Sequence, residues 1–152
     1  MTNEQEKNKA LIERFPFLLP WYGRDDDGRI ADDYDYETTM LDRIPSGWRV
    51  AFGEEMCEEI LAALLSSGNT REDGLAALKE YYISDIKEKY GQLRWLDSGG
   101  VDEVIRKYEK LAERTCISCG KPATRLSTHW ISPYCDQCGP EYERYVGIES
   151  NY

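Results

Sequence analysis

The chain has one histidine among its 152 residues, with three phenylalanines and three methionines. It also has no apolar run approaching the roughly twenty residues that a membrane-crossing helix needs. Each shortage excludes something. Nothing in the sequence spans a membrane as a helix. Imidazole acid–base catalysis has a single candidate, His129. There is no G-x-S-x-G elbow, no glycine-rich phosphate loop and no H-E-x-x-H. No low-complexity segment or long repeat is present. The expectation is a protein that is not an enzyme. Its polar, acidic opening, Met1-Thr2-Asn3-Glu4-Gln5-Glu6, reads against a secretory leader and toward the cytoplasm.

Bases are scarce relative to acids: 19 Lys and Arg face 29 Asp and Glu, a net charge of −10. The imbalance sits in residues 1–113, with 25 acids and 15 bases, whereas residues 114–140 carry three bases and one acid. A surface this acidic repels a phosphate backbone and is drawn to basic surfaces. The densest stretch, from Asp25 to Asp42, has eight acids and one base, Arg29. In it Tyr34 and Tyr36 alternate with Asp33, Asp35 and Glu37, which suits a short exposed strand or an extended loop. The candidate partner-binding surface is Asp32, Asp33, Tyr34, Asp35, Tyr36 and Glu37, with Glu55 and Glu59 from the helix that follows. Tyrosine supplies contact area there at low entropic cost.

Hydrophobic spacing predicts the elements. Asn3 to Phe15 reads as a helix with Ala10, Leu11 and Phe15 on one face, stopped by Pro16. Phe17 to Tyr22 reads as a buried extended segment. Ser46 is placed as the N-cap of a core helix on which Trp48, Phe52, Met56, Ile60 and Leu64 step by four. Glu54, Glu55, Glu58 and Glu59 lie on its outer side, and Cys57 reads as a small packed apolar residue. Thr70-x-x-Asp73 resembles a capping box for a third helix through Leu75, Leu78 and Tyr82. Two short strands around Gly91 fit Ile86 to Leu96. Asp97-Ser98-Gly99-Gly100 is read as the break that caps a last helix, with Val101, Val104, Ile105, Tyr108, Leu111 and Ala112 on its apolar face.

The strongest signal is Cys116, Cys119, Cys135 and Cys138, spaced C-x2-C-x15-C-x2-C, each pair followed by glycine. Two tight turns with two thiolates each match a structural zinc site, and glycine provides the backbone angle such a knuckle requires. Four protein ligands leave no open position for water, so the ion is expected to be structural. His129 lies between the pairs and is expected to be an exposed loop residue beside Trp130. The fold class expected is α+β: a mostly helical domain with a short β-hairpin over residues 1–113, and a C-terminal zinc-ribbon subdomain over residues 114–152.

Three runs together carry a resemblance: Ile86-Lys-Glu-Lys-Tyr-Gly-Gln-Leu-Arg-Trp95, Glu113-Arg-Thr-Cys-Ile-Ser-Cys-Gly120 and Tyr134-Cys-Asp-Gln-Cys-Gly139. They resemble a family of small proteins of phages and other bacterial mobile elements, over roughly residues 80–140. Its pattern is I-K-E-K-[FY]-G-x-L-R-[FYW], a helix, then the four-cysteine ribbon. Gln92 departs from it where many members have a second glycine. By size, acidity and ribbon the whole chain is also similar to zinc-containing anti-CRISPR proteins that inhibit Cas9. That resemblance implies an inhibitor in the bacterial host cytoplasm that binds a type II effector directly and blocks DNA recognition or loading. Two other readings stand beside it: a zinc-ribbon DNA-binding regulator using Arg114, Lys121, Arg125, His129 and Trp130, and a phage adaptor protein.

Overall fold

The computed structural model describes residues 1–148; the last four residues of the expected ribbon subdomain lie outside them. Helix α1 spans Asn3–Arg14 and opens with a capping box, Thr2 and Gln5 each binding the other's backbone N–H. Its inward face is Asn8, Ile12 and Phe15, whereas Ala10 is exposed. The Phe17–Tyr22 stretch is not extended. Pro16–Leu18 and Trp21–Gly23 are single 3-10 turns, each beginning at or just after a proline. Phe17, Leu18 and Leu19 are buried, while Trp21 and Tyr22 face solvent.

The core helix is three pieces in one run: α2 (Ser46–Trp48), a π-helical turn (Arg49–Gly53) and α3 (Glu54–Leu65). Trp48, Phe52, Met56, Ile60 and Leu64 are all buried, as their spacing predicts. The N-cap is Pro45 and not Ser46. The free N–H of Gly47 is satisfied from outside the helix, by the carbonyl of Ile117 at 2.9 Å. Helix α4, Arg71–Glu80, carries the predicted capping box at Thr70 and Asp73. It ends before Tyr82; the chain turns extended at Tyr81, so Tyr81 is buried while Leu75 and Tyr82 remain exposed.

Strands β1 (Ile83–Lys89) and β2 (Gln92–Asp97) pair antiparallel. Their turn, Tyr90-Gly91, has positive φ at both residues, 56° and 78°, which is the mirror-image turn that suits hairpin twist. Helix α5, Asp102–Ala112, buries Ile105, Tyr108 and Ala112, while Leu111 is exposed. Its N-cap is Val101; Asp97 instead binds Gly99 N–H at 3.1 Å, closing the loop before the helix. One apolar cluster runs from Ile12 to Ala112. The C-terminal sheet has order β4-β3-β5, with β3 Arg125–Ser127, β4 Pro133–Tyr134 and β5 Tyr145–Gly147. The fold is α+β, and no helix of the described residues is long and apolar enough to cross a membrane.

Candidate metal centre and the loops around it

The first knuckle leaves α5 directly. Gly120 N–H closes on the Cys116 carbonyl at 3.0 Å, and Cys138 N–H on that of Cys135 at 3.3 Å. Gly120 and Gly139 hold φ of 85° and 106°, where a side chain is strained. Space forbids one as well: a Cβ at Gly120 would meet the Gly47 carbonyl oxygen at 2.7 Å, and one at Gly139 the Tyr145 hydroxyl at 2.3 Å. The four sulfurs lie within 4.8 Å of one another, with Cys119 and Cys135 3.7 Å apart. A tetrahedral ion with metal–sulfur bonds of about 2.3 Å needs sulfurs about 3.8 Å apart, so the cluster fits a four-coordinate metal.

Cys116, Cys135 and Cys138 are shifted in different directions by their surroundings. Burial raises Cys116, but backbone N–H groups of Cys135, Cys119 and Ser118 outweigh it and bring the thiol down to about 7. The backbone N–H of Gln137 leads in lowering Cys135. Cys138 goes the other way, to about 12, first because it shares a hydrogen bond with Cys135 and then through desolvation. Four sulfurs this close cannot all be thiolates without a positive charge among them.

The ribbon is seated on the core helix. Trp48 Nε1 donates to the Thr115 carbonyl at 2.9 Å. A Cβ at Gly47 would sit 2.3 Å from the Cys116 carbonyl oxygen, so only glycine permits this contact. Arg125 donates to the Cys138 carbonyl at 2.9 Å and lies 3.7 Å over the Tyr145 ring.

Sequence reasoning missed Glu143. Its side chain is only 3% exposed. Its carboxylate accepts from the backbone N–H groups of Thr128, His129, Trp130 and Arg144, at 3.3, 3.0, 3.3 and 2.9 Å. It also meets His129 Nδ1 at 3.0 Å. The His129 backbone bond is the main reason its carboxyl falls to about 2. No short-range signal announces this; apart from its neighbour Arg144, the partners lie thirteen to fifteen residues away. His129 itself is exposed and stands outside the sulfur cluster, as expected.

The candidate partner surface divides. Asp32, Asp33, Asp35, Glu37 and Glu55 are exposed. Tyr34 and Tyr36 form no strand and are half-buried against the core, their rings 4.8 Å apart and tilted by 57°. Their loop is tied to α1, since Asn8 Nδ2 donates to the carbonyls of Tyr36 and Glu37 at 2.9 and 3.1 Å. Burial, then Tyr22 and Asp35, push the Tyr34 hydroxyl up. The rings continue outward through Tyr22, 6.4 Å from Tyr34, to Trp21, 5.6 Å further on and 73% exposed. Glu59 is engaged within the fold, by Lys107 at 2.9 Å and by the Tyr108 hydroxyl.

The fold and the site define a small α+β protein with a four-cysteine metal centre. No family model, curated protein or solved structure matches the chain. The resemblance to mobile-element and anti-CRISPR proteins therefore stands on its residues alone.

Proposed function

We propose that the chain is a zinc-stapled inhibitor that acts by binding a protein, its target a type II Cas9 effector whose DNA recognition or loading it blocks. The observation that carries the protein-binding part is the aromatic run Trp21–Tyr22–Tyr34–Tyr36 set among exposed acids in a chain of net charge −10. Large rings rimmed by one sign of charge suit a basic protein surface, and effectors of this class hold their nucleic acids in positively charged channels. Zinc is the ion proposed for Cys116, Cys119, Cys135 and Cys138, because soft thiolates at tetrahedral spacing select it. It would fix the two knuckles and leave no position for a substrate.

The DNA-binding regulator reading is weaker. Arg125 spends its guanidinium on Cys138 and Tyr145 and is not free for a phosphate. An adaptor role would use the same acidic, aromatic surface for another basic partner. The deciding experiment is a Cas9 DNA-cleavage assay with and without the protein, followed by a DNA-binding assay to locate the blocked step. Unchanged cleavage at saturating protein, across the Cas9 effectors tried, overturns the Cas9 assignment. Tight duplex binding at physiological salt would replace it with the regulator reading.

A further inference from the structure

A cleft of about 310 Å³ opens between the Pro16–Leu18 turn, the loop after Gly23 and α4. Phe17, Leu75, Leu78 and Tyr81 give it an apolar lining, and its two charged residues are both cations, Arg24 and Lys79. Among the described residues no acid lines it, in a chain with 29 acids and 19 bases. Leu75, Leu78 and Lys79 follow an i, i+3, i+4 spacing and so share one face of α4.

Arg14, Arg43 and Arg49 each reach a carboxylate. Arg24 is half-buried and reaches none among the described residues. One of its N–H groups meets the Leu19 carbonyl, at a long 3.4 Å. Burial pushes its guanidinium down. Lys79 likewise has no carboxylate partner among the described residues. The neighbouring Asp25 does not supply one, because its carboxylate accepts the N–H groups of Asp27 and Arg29, both at 2.9 Å, and closes its own loop. Asp26, Asp27 and Glu80 are exposed, and none of them pairs with either cation. A partly desolvated guanidinium with open donors, set beside apolar surface, is the chemistry of an anion subsite.

The lining also limits the ligand. The Tyr81 hydroxyl is used within the fold, donating to Asp97 at 2.7 Å and accepting from Trp95 Nε1 at 3.0 Å. Phe17 packs edge-on against the Tyr81 ring, 5.4 Å between centroids, so both are fixed by the core. These residues therefore offer apolar contact and no further hydrogen bond, and the ligand's polar group has to meet Arg24 and Lys79. A planar carboxylate matches the guanidinium fork. A phosphate dianion would find two cations here in a chain of net charge −10, which disfavours the second charge.

We propose that this cleft binds a small-molecule carboxylate with an apolar body, the carboxylate held by Arg24 and Lys79 and the body by Phe17, Leu75 and Leu78. The site goes beyond the partner-binding reading above and does not depend on it.

The test titrates the full-length, metal-loaded protein with phenylpropionate, phenylpropanol and acetate, followed by NMR at the Leu75 and Leu78 methyls. Phenylpropionate should give saturable shifts and bind about tenfold more tightly than phenylpropanol, the worth of a charge-assisted hydrogen bond. It should also bind about tenfold more tightly than acetate, which lacks the apolar body. Arg24→Gln should lose the first factor and bind phenylpropanol as the wild type does. Its melting temperature should stay within about two degrees of the wild type, because the guanidinium makes one long bond in the fold. Lys79→Gln, on the exposed face of α4, should weaken phenylpropionate about threefold. The proposal falls if phenylpropionate does not saturate, if the alcohol binds as tightly as the acid, or if Arg24→Gln binds the acid normally. It falls as well if Arg24→Gln melts several degrees lower, since Arg24 would then be a structural residue. Tighter binding of phenyl phosphate would make this a phosphate site, and tighter binding of acetyl-glycyl-phenylalanine a site for a chain's carboxyl terminus; either overturns the small-molecule carboxylate.

Discussion

From Ile12 to Ala112 the chain hides leucines, isoleucines, methionines and aromatic rings in one cluster. From Thr115 onward the buried residues are of another kind: Thr115, Cys116, Ser127, Ser132, Cys135 and Glu143, with Pro133 the one apolar residue besides the cysteines. The first region closes because apolar surface leaves water, a broad and redundant force. The second has almost no such surface to hide. It relies on a few directional bonds, each of which has to be made. Thus one protein contains a part that tolerates local damage and a part that does not, joined at Gly47 and Trp48.

Metal removal should separate them most sharply. Stripping the ion with a strong chelator, or substituting Cys119→Ser, should cost the ribbon on the order of 10 kcal/mol in apparent terms. Hydrogen exchange should then show residues 115–140 unprotected while α3 and α5 stay protected. Equal loss in both regions would mean that they fold as one unit and that the contrast is false.

Trp48 tests the joint. Its ring is fully buried and its indole N–H holds Thr115. Trp48→Ala should cost about 3–5 kcal/mol in a denaturant titration. Trp48→Phe, which keeps most of the packing and drops the bond, should lose far less globally yet still loosen the ribbon's amides. Global loss from Trp48→Phe as large as from Trp48→Ala would show that the bond, and not the packing, carries the joint.

Within the ribbon, Glu143→Gln should deprotect the amides of residues 128–130 and leave the helices unaffected. The folded carboxyl sits at about 2 against an ordinary 4.5. Its contribution is therefore complete above the ordinary value and fades as pH falls from there toward the folded one. Acid also expels the metal by protonating thiolates, so wild type and variant are first compared at pH 6, where only the carboxylate differs, and then followed downward. No difference at pH 6 removes Glu143 as the brace.

In the helical region the effects shrink. Thr70→Ala should cost about 1 kcal/mol through loss of the cap on Asp73 N–H, read as a shift in the urea midpoint. Arg14 reaches Glu54 and Glu58 at 2.9 and 2.8 Å on the exposed surface. Arg14→Ala should cost less than about 1 kcal/mol, and that little should vanish in high salt. A larger loss would mean that this surface is less redundant than the buried cluster suggests.

Legibility in the sequence follows the same division. Period-four spacing exposed the core helix because a helix buries a stripe, and the π turn at Arg49–Gly53 did not disturb which residues faced inward. The Thr70–Asp73 box and the alternation of Leu93 and Trp95 with Gln92 and Arg94 are local chemistry and could be read directly. The four cysteines were readable because metal geometry imposes a spacing. Elements decided by distant partners were not. Ser46 looked like an N-cap, yet the ribbon's Ile117 carbonyl fills that need. Tyr34 and Tyr36 looked exposed because alternation cannot tell that Asn8 pins their loop to α1. Glu143 was one acid among 29 until folding brought the backbone N–H groups of residues 128–130 to it.

Cys57 has a use of its own. It is fully buried in the helical region, and burial pushes its thiol up to about 12, far from the reactive thiolate form. The other four thiols belong to the ribbon. A thiol-reactive dye added to the metal-loaded protein therefore keeps two clocks on a single chain. The first four labels time the escape of the ion, and the fifth times the opening of the helical core.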